Sequence, residues 1–315
     1  MKAVELVGER RLQSVERPVP RPGAGQVLIT VEQCGLCTGE VDLWLGKDPE
    51  TFPVPIGHEI GGVIEEVGPE VSGMKPGDRV SAWIEGGGFA THVIARGEHC
   101  VRVAPTVSYP AVAEPLSCVV NAVELAAPAL ADNVVIVGAG YMGILLQLVV
   151  SLKGARSITV VDTRADALDR AKALGATGVV QVPENSAQDF VRDLTGGSGA
   201  DVTFEVTGVN AGLDLAGDLT RMEGKLVIVG YHQGERRSID LAHWNWMAFE
   251  ILNAHFRSLE KIMTGMKKGI ALVNSGLIDP EPLVTNWFTL DQLDDAFALG
   301  AAKPVGYLKS VVTTR

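Results

Sequence analysis

Four side chains in the first half of the chain, Cys37, His58, Glu59 and Glu114, are of the types that bind a transition metal. A soft thiolate, an imidazole and a carboxylate together suit Zn²⁺. A catalytic zinc takes three protein ligands and keeps one position open for water or substrate. Twenty residues intervene between Cys37 and His58, and 54 between Glu59 and Glu114. Such spacing fits ligands delivered by separate loops of a catalytic site better than a compact zinc knuckle. Spacing alone leaves open which of the four would bind.

A second constellation is Gly138-Ala-Gly140-Tyr-Met-Gly143, which follows an apolar run at residues 134–137 and opens an apolar helix. Between strand and helix, this pattern is the dinucleotide-binding fingerprint. The first glycine permits the tight turn, the second lets the backbone approach a pyrophosphate, and the third lets helix and strand pack closely. Tyr141 and Met142 belong to the first helical turn, where free N–H groups and the positive dipole end favour an anion. Asp162 ends the next apolar run, 19 residues past Gly143. An acid there accepts hydrogen bonds from the ribose hydroxyls of NAD and repels the 2′-phosphate of NADP. Thr163 and Arg164 follow it, and an arginine so placed can hold that phosphate instead. The fingerprint selects NAD over NADP. The bland alternative is that the glycines are only strand–helix punctuation.

The elements that must carry these groups fall into two styles. Up to about residue 110 the chain reads as short strands and turns, a β-rich, barrel-like unit. Examples are the run at 27–31, the alternation at 61–67 ending in Gly68-Pro69, and the turn Lys75-Pro-Gly-Asp78 before a strand at 79–83. From a helix at 118–126 onward, apolar runs at 133–137, 157–161, 179–182, 202–206 and 225–230 alternate with helical segments. That rhythm predicts an α/β fold with a doubly wound parallel sheet covered on both faces. Helices at 260–275 and 290–299 and strands near 286–289 and 307–312 finish the chain, the last expected to return to the first domain.

Composition narrows the function classes. A chain of 315 residues fits two domains at about 150 residues each. With 38 acidic and 27 basic residues the net charge is −11, which argues against nucleic acid and against an anionic membrane surface. Apolar residues at 46% and charged ones at 21% fit an ordinary folded chain. Four cysteines do not make a disulfide scaffold, and Met1-Lys-Ala-Val-Glu5 meets charge too early for a signal-peptide core. A soluble, cytoplasmic protein is expected. Residues 134–152 carry no formal charge and are long enough to cross a bilayer. Gly138, Gly140, Gly143 and Gln147 within them favour strand, turn and helix instead.

Several motifs together carry a family resemblance. Gly57-His58-Glu59-x-x-Gly62, with Gly68 and Val71, resembles the zinc signature of the medium-chain alcohol dehydrogenases, and Cys34-Gly-Leu-Cys37 resembles their catalytic-cysteine segment. Lys75-Pro-Gly-Asp-Arg-Val80, Gly87-Gly-Phe-Ala90, Ala113-Glu-Pro-Leu-Ser117, Gly199-Ala-Asp201 and Glu205-Val-Thr-Gly208 follow in the family's order, up to Gly306-Tyr-Leu-Lys309. Glu114-Pro-Leu-Ser is most similar to the polyol (sorbitol) and threonine dehydrogenase branch, where a glutamate replaces a third-ligand cysteine. The resemblance implies a GroES-like catalytic domain at 1–118 and 261–315 around a Rossmann domain at 119–260. It implies Cys37 and His58 as ligands, Glu114 as the third, direct or through water, and Glu59 as a ligand or supporting carboxylate. A thiolate and two bound carboxylates would over-neutralise Zn²⁺, so the two glutamates are not expected to bind tightly together. The implied activity is hydride transfer between NAD and a secondary alcohol, most similar to the oxidation of a polyol, sugar or cyclitol, in a homodimer or homotetramer.

Three departures from the family stand out. Only residues 81–86 lie where the family often carries a cysteine-rich lobe, so one catalytic zinc and no structural zinc are expected. Gly39 stands where a relay hydroxyl is common, and Asp42 where a histidine is. Asp42, then Thr38 or Glu40, would have to replace the proton path. Without such a path, a nucleotide-binding regulatory protein that lacks turnover is an alternative. Another is a zinc-free reductase of the same fold, acting on enones, quinones or bulky alcohols.

The remaining groups have weaker claims. Cys34 and Cys37 form C-x-x-C outside the βαβ context of a redox dithiol, so Cys34 reads as a small buried residue. Cys118 stands beside the nicotinamide by resemblance, or is a packed helix thiol, and Cys100 reads as structural. Trp44 is a candidate substrate-pocket wall or plain core. His92, His99, His232, His243 and His255 each read as packed or surface residues, and Asp201 and Glu205 as structural acids.

Overall fold

A computed structural model of the protein describes residues 1–47, 51–234 and 236–314. They divide into two units, Met1–Ser117 with Ile262–Arg315, and Cys118–Lys261.

The first unit opens with the hairpin β1 (Lys2–Gly8) and β2 (Arg11–Glu16). After the Pro/Gly-rich stretch comes β3 (Gln26–Gly35), then the short helix α1 (Thr38–Trp44) and β4 (Val54–Pro55), which pairs with β1. The strands β5 (Glu59–Val67), β6 (Arg79–Trp83), β7 (His92–Arg96) and β8 (Cys100–Arg102) precede helix α2 (Ala113–Ala126). β3 is the hub, pairing antiparallel with both β5 and β7, while β6 links β5 to β8. Val27, Ile29, Ile60, Ile64 and Val80 are fully buried along these strands, β-branched as a two-sided core asks, and Phe89 is buried between β6 and β7. The seven-residue α1 has no periodic apolar signal and contains Gly39, so sequence reading does not mark it.

In the second unit, β9 (Asn133–Val137), α3 (Tyr141–Ser151), β10 (Ser157–Asp162), α4 (Ala165–Ala173), β11 (Gly178–Gln181) and α5 (Ala187–Leu194) come first. They are followed by β12 (Ala200–Glu205), α6 (Asn210–Leu219), β13 (Thr220–Ile228), α7 (Leu241–Met247) and β14 (Glu250–Asn253). The sheet is parallel throughout, in the order β11-β10-β9-β12-β13-β14. The strand order runs outward in both directions from β9, which is the doubly wound arrangement. Residues 134–152 resolve into β9, a glycine turn and α3, and no helix among the described residues is long and apolar enough to cross a membrane. β14 is a sixth strand beyond those read from the sequence. Three of its four residues are exposed, so it shows no apolar run.

The chain then supplies α8 (Leu259–Asn274), β15 (Asn286–Thr289), α9 (Leu293–Ala302) and β16 (Ser310–Thr313). β16 pairs antiparallel with β3, Val312 lying opposite Cys34, and parallel with β15. Phe297 of α9 is fully buried against Phe89 and Trp44, with ring centroids 6.0 and 5.8 Å away. Truncating it removes a ring that two elements share. Phe297→Ala should destabilise the β-rich unit by about 3–5 kcal/mol. Urea unfolding followed by far-UV circular dichroism checks this, and an unchanged midpoint would mean the void collapses without loss.

Candidate metal centre and coenzyme loop

Cys37 is the residue that caps α1, and Gly57-His58-Glu59 leads into β5, so two separate segments bring these side chains together. The ligand atoms of Cys37, His58 and Glu59 lie within 4.8 Å of one another. This donor set, one sulfur, one nitrogen and one oxygen, fits Zn²⁺. Glu40 holds the imidazole in place. Its Oε1 lies 3.0 Å from His58 Nδ1 and accepts from Gly57 N–H, while Oε2 accepts from Cys37 N–H at 3.5 Å. With Nδ1 taken by a carboxylate, Nε2 is the nitrogen free for a metal.

The electrostatics follow from burial and these contacts. Burial alone would push the His58 pKa down, but the Glu40 charge and the hydrogen bonds to Cys37 and Glu40 hold it well above the usual imidazole value. Burial alone would push Glu40 up. The His58 charge, the imidazole hydrogen bond and the Gly57 and Cys37 amides outweigh that and keep it below the ordinary carboxyl range.

Glu59 is buried and paired with Lys309, whose Nζ lies 2.6 Å from Oε2 and 2.8 Å from Oε1. Lys309 also donates to the Leu36 carbonyl at 2.9 Å. This lysine answers the charge problem that the sequence posed for two glutamates and a thiolate. Sequence reading registered it only as part of a family-like ending, because its partner is 250 residues away.

Glu114, in the first turn of α2, lies outside the three-residue group but within its field. Burial raises its pKa most. The Glu59 and Glu40 charges add to the rise, and His58 and Lys309 oppose it.

The relay candidates on α1 diverge. Asp42 is paired with Lys47 at 2.6 Å and is part-exposed. Glu40 has its oxygens engaged by His58 and the two amides. Thr38 opens the helix. A methyl group placed on Gly39 would meet only Cys37 Sγ, at 3.8 Å, so neither packing nor backbone conformation requires glycine there. Trp44 packs in the core beside Phe297 with Arg10 over its ring, which is the packing alternative for that residue.

In the second unit Gly138, with φ of +112°, turns the chain directly after β9. Gly140 is the N-cap of α3, and Tyr141, Met142 and Gly143 form its first turn. A side chain on Gly143 would place its Cβ 1.9 Å from the Gly138 carbonyl oxygen, so the helix meets the turn only through glycine. Asp162, at the end of β10, reaches this loop. Its Oδ2 accepts from Ala139 N–H at 2.6 Å, and Oδ1 accepts from Arg164 N–H and Nε–H at 2.9 and 3.2 Å. Arg164 is thus drawn to the acid. Thr163 offers its carbonyl to Gln181 Nε2. Cys118 sits half-buried on α2. Residues weighed only lightly in the sequence prove connected: His232 bonds the buried Glu205, and His255 Nε2 donates to the Gly230 carbonyl at 3.1 Å.

Two family models match the chain, the alcohol dehydrogenase GroES-like domain over residues 23–105 and the zinc-binding dehydrogenase domain over residues 121–268. Sorbitol dehydrogenase of Homo sapiens is 29% identical over 331 aligned residues, covering 92% of this chain and 89% of its own. L-threonine 3-dehydrogenase of Marinomonas sp. is 27% identical, covering 93% and 94%. Among solved structures, 2R,3R-butanediol dehydrogenase of Bacillus subtilis superposes with a TM-score of 0.89 at 25% identity, over 100% of this chain and 99% of that one. A zinc-binding dehydrogenase of Sinorhizobium meliloti, bound to NADP, gives 0.88 at 25% identity over 99% of each chain.

The raised pKa of Glu114 has a consequence for stability. A carboxyl that holds its proton more tightly when folded contributes fully below its unfolded value, about 4.3, and that contribution is lost as pH rises through the folded value. Gln keeps the shape and never ionises. In chelator, Glu114→Gln should therefore melt with wild type at about pH 4 and above it at about pH 8. Thermal melts at the two pH values decide, and a variant that melts lower at the higher pH contradicts this account.

Proposed function

The chain belongs to the zinc-type medium-chain alcohol dehydrogenases, and from that premise we propose that it oxidises a secondary alcohol of a polyol, sugar or cyclitol with NAD, using one zinc ion. The observation that carries the reading is the convergence of Cys37, His58 and Glu59 within 4.8 Å in a chain that also carries the Gly138–Gly143 coenzyme turn. Cys37 and His58 are the assigned ligands, with Glu114 or Glu59 completing the set. Zinc bound there supplies Lewis acidity, lowering the pKa of an alcohol so that its proton leaves near neutral pH.

The chain's own residues do the rest. Glu40 fixes the ring and tautomer of His58. Lys309 holds Glu59 and offsets its charge. Asp42 is the assigned proton acceptor, since Gly39 offers no hydroxyl, with Thr38 the other exit on α1. Glu40 acts by positioning. Thiolate and carboxylate would tune the charge of a metal held there, and a nicotinamide coenzyme held on the Gly138–Gly143 turn would supply the hydride acceptor. Asp162 is assigned to the adenosine ribose, with Arg164 neutralised against it, which favours NAD over NADP. Tyr141 and Met142 offer the α3 amides to the pyrophosphate, and Cys118 lines the nicotinamide end.

In this reading residues 1–118 and 261–315 are the catalytic domain and 119–260 the coenzyme domain. A single zinc fits the short connection at residues 81–86. A homodimer or homotetramer fits the open edge at β14, where Ile251 is 46% exposed. A cytoplasmic location fits cysteines that form no disulfide among the described residues.

Three measurements test this. Metal analysis of purified protein should find about one zinc per chain, removed by chelation together with activity; fully active zinc-free protein would point to the metal-independent reductase. A panel of polyols, inositols and sugars with NAD and NADP should yield NADH preferentially, whereas NAD binding without turnover would favour a regulatory protein. Asp42→Asn should slow alcohol oxidation by at least about tenfold and leave NAD affinity unchanged, and an unaltered rate removes Asp42 from the proton path.

A further inference from the structure

Glu205 ends β12 and is completely buried, yet it lies at the carboxyl edge of the parallel sheet rather than in its middle. Oε1 accepts from Thr207 N–H at 2.6 Å, Thr207 Oγ1–H at 2.5 Å and Gly208 N–H at 2.9 Å. Oε2 lies 2.9 Å from His232 Nε2. The other imidazole nitrogen, Nδ1, accepts from Arg237 Nε–H at 3.1 Å. Because Nδ1 accepts, the ring proton is on Nε2 and points at Glu205. Arg237 closes the circuit, donating through one terminal nitrogen to the carbonyls of Gly208 at 3.2 Å and Gln233 at 3.0 Å. Glu205, His232, Arg237 and Gly208 therefore form one ring of hydrogen bonds, with a carboxylate and a guanidinium on either side of a neutral imidazole.

The ring joins two turns, the one after β12 and the one after β13. They are in backbone contact: a Cβ on Gly230 would lie 2.3 Å from Gly208 N and 2.6 Å from Glu205 Oε2. The first of these turns also leans on the coenzyme loop, since a Cβ on Gly138 would meet Thr207 Cγ2 at 3.0 Å. In an open α/β sheet, ligands lie outside the carboxyl ends of the strands at the point where the order reverses. Here that point is between β9 and β12. Asp162 on β10 marks the adenosine side, so the nicotinamide half extends the other way, over β12 and β13, about 5–10 Å across the sheet from the Gly138 turn.

We propose that Glu205, His232 and Arg237 are positioning residues for the nicotinamide half of the coenzyme, holding the Gly208 and Gly230 turns as one surface without themselves touching the reacting atoms. A buried carboxylate with four donors is stable only while each donor stays in place, so the turns cannot separate without stranding the charge. The surface that meets the nicotinamide end is in this way formed before the coenzyme arrives, and the adenosine end is not involved.

The inference rests on the coenzyme reading above, and binding to the full-length protein separates the two. NAD and ADP-ribose share every group except the nicotinamide, so the ratio of their dissociation constants reports on that half alone. In Glu205→Gln the new amide N–H₂ confronts His232 Nε2–H, donor against donor, and the ring opens. This variant should bind NAD about tenfold more weakly by titration calorimetry, with ADP-ribose affinity within about twofold of wild type. Arg237→Met leaves the Glu205–His232 pair intact at a part-exposed position. It should move the ratio in the same direction, and it carries the test if Glu205→Gln does not fold. Equal weakening of both ligands would mean a merely structural role, and an unchanged ratio in a folded variant would equally overturn the proposal. Wild-type protein that binds neither ligand would defeat the coenzyme reading instead.

Discussion

Charge compensation in a buried corner is the constraint around which the β-rich unit is organised. Cys37, Glu40, Glu59 and Glu114 gather a thiol and three carboxyls, and His58 and Lys309 are the cationic groups that face them. An isolated buried carboxylate takes up a proton rather than remain charged. Glu114 leans that way, its pKa raised by burial and by its acidic neighbours. Glu40 goes the other way because an imidazole and two amides stabilise its ionised form. Glu59 is ion-paired with Lys309. Glu40 and Glu114 thus share a region but differ in protonation tendency, and a divalent cation between Cys37, His58 and Glu59 is the counter-charge that the set as a whole favours.

The second unit solves a related problem by different means. The Gly138 turn offers backbone N–H groups, and its acidic neighbour Asp162 is held against both the loop and Arg164. Close approach is enforced by absent side chains, as at Gly143 against Gly138. Farther along the same edge, the buried Glu205 collects amides, a hydroxyl and an imidazole. In both places an acid fixes loops to one another, so the carboxyl edge of the sheet is stiffened by side chains that come from strand ends.

What could be read from the sequence was local. The glycine fingerprint, Asp162 after the next strand, and His58-Glu59 are short contiguous patterns, and the alternation of strands and helices follows from apolar runs. What could not be read depended on long-range pairing or on elements without a pattern. Lys309 is assigned by a partner far away in the chain. Glu40 has the sequence position of a relay residue but the contacts of an orienting one. The strand β14 is mostly exposed and offers no alternation, and α1 is too short to show a period. Trp44 was open between pocket and core because an aromatic residue near a site fits either. Glu205 was read as structural from its place at a strand end, and only its four donors reveal how much it joins.

The antiparallel pairing of β16 with β3, and of Lys309 with Glu59, has a consequence for biogenesis. Both partners on the late side are synthesised only after all of Cys118–Lys261 has emerged from the ribosome. A nascent chain holding Cys37, His58 and Glu59 therefore has these side chains in hand long before it has the lysine that pairs with Glu59.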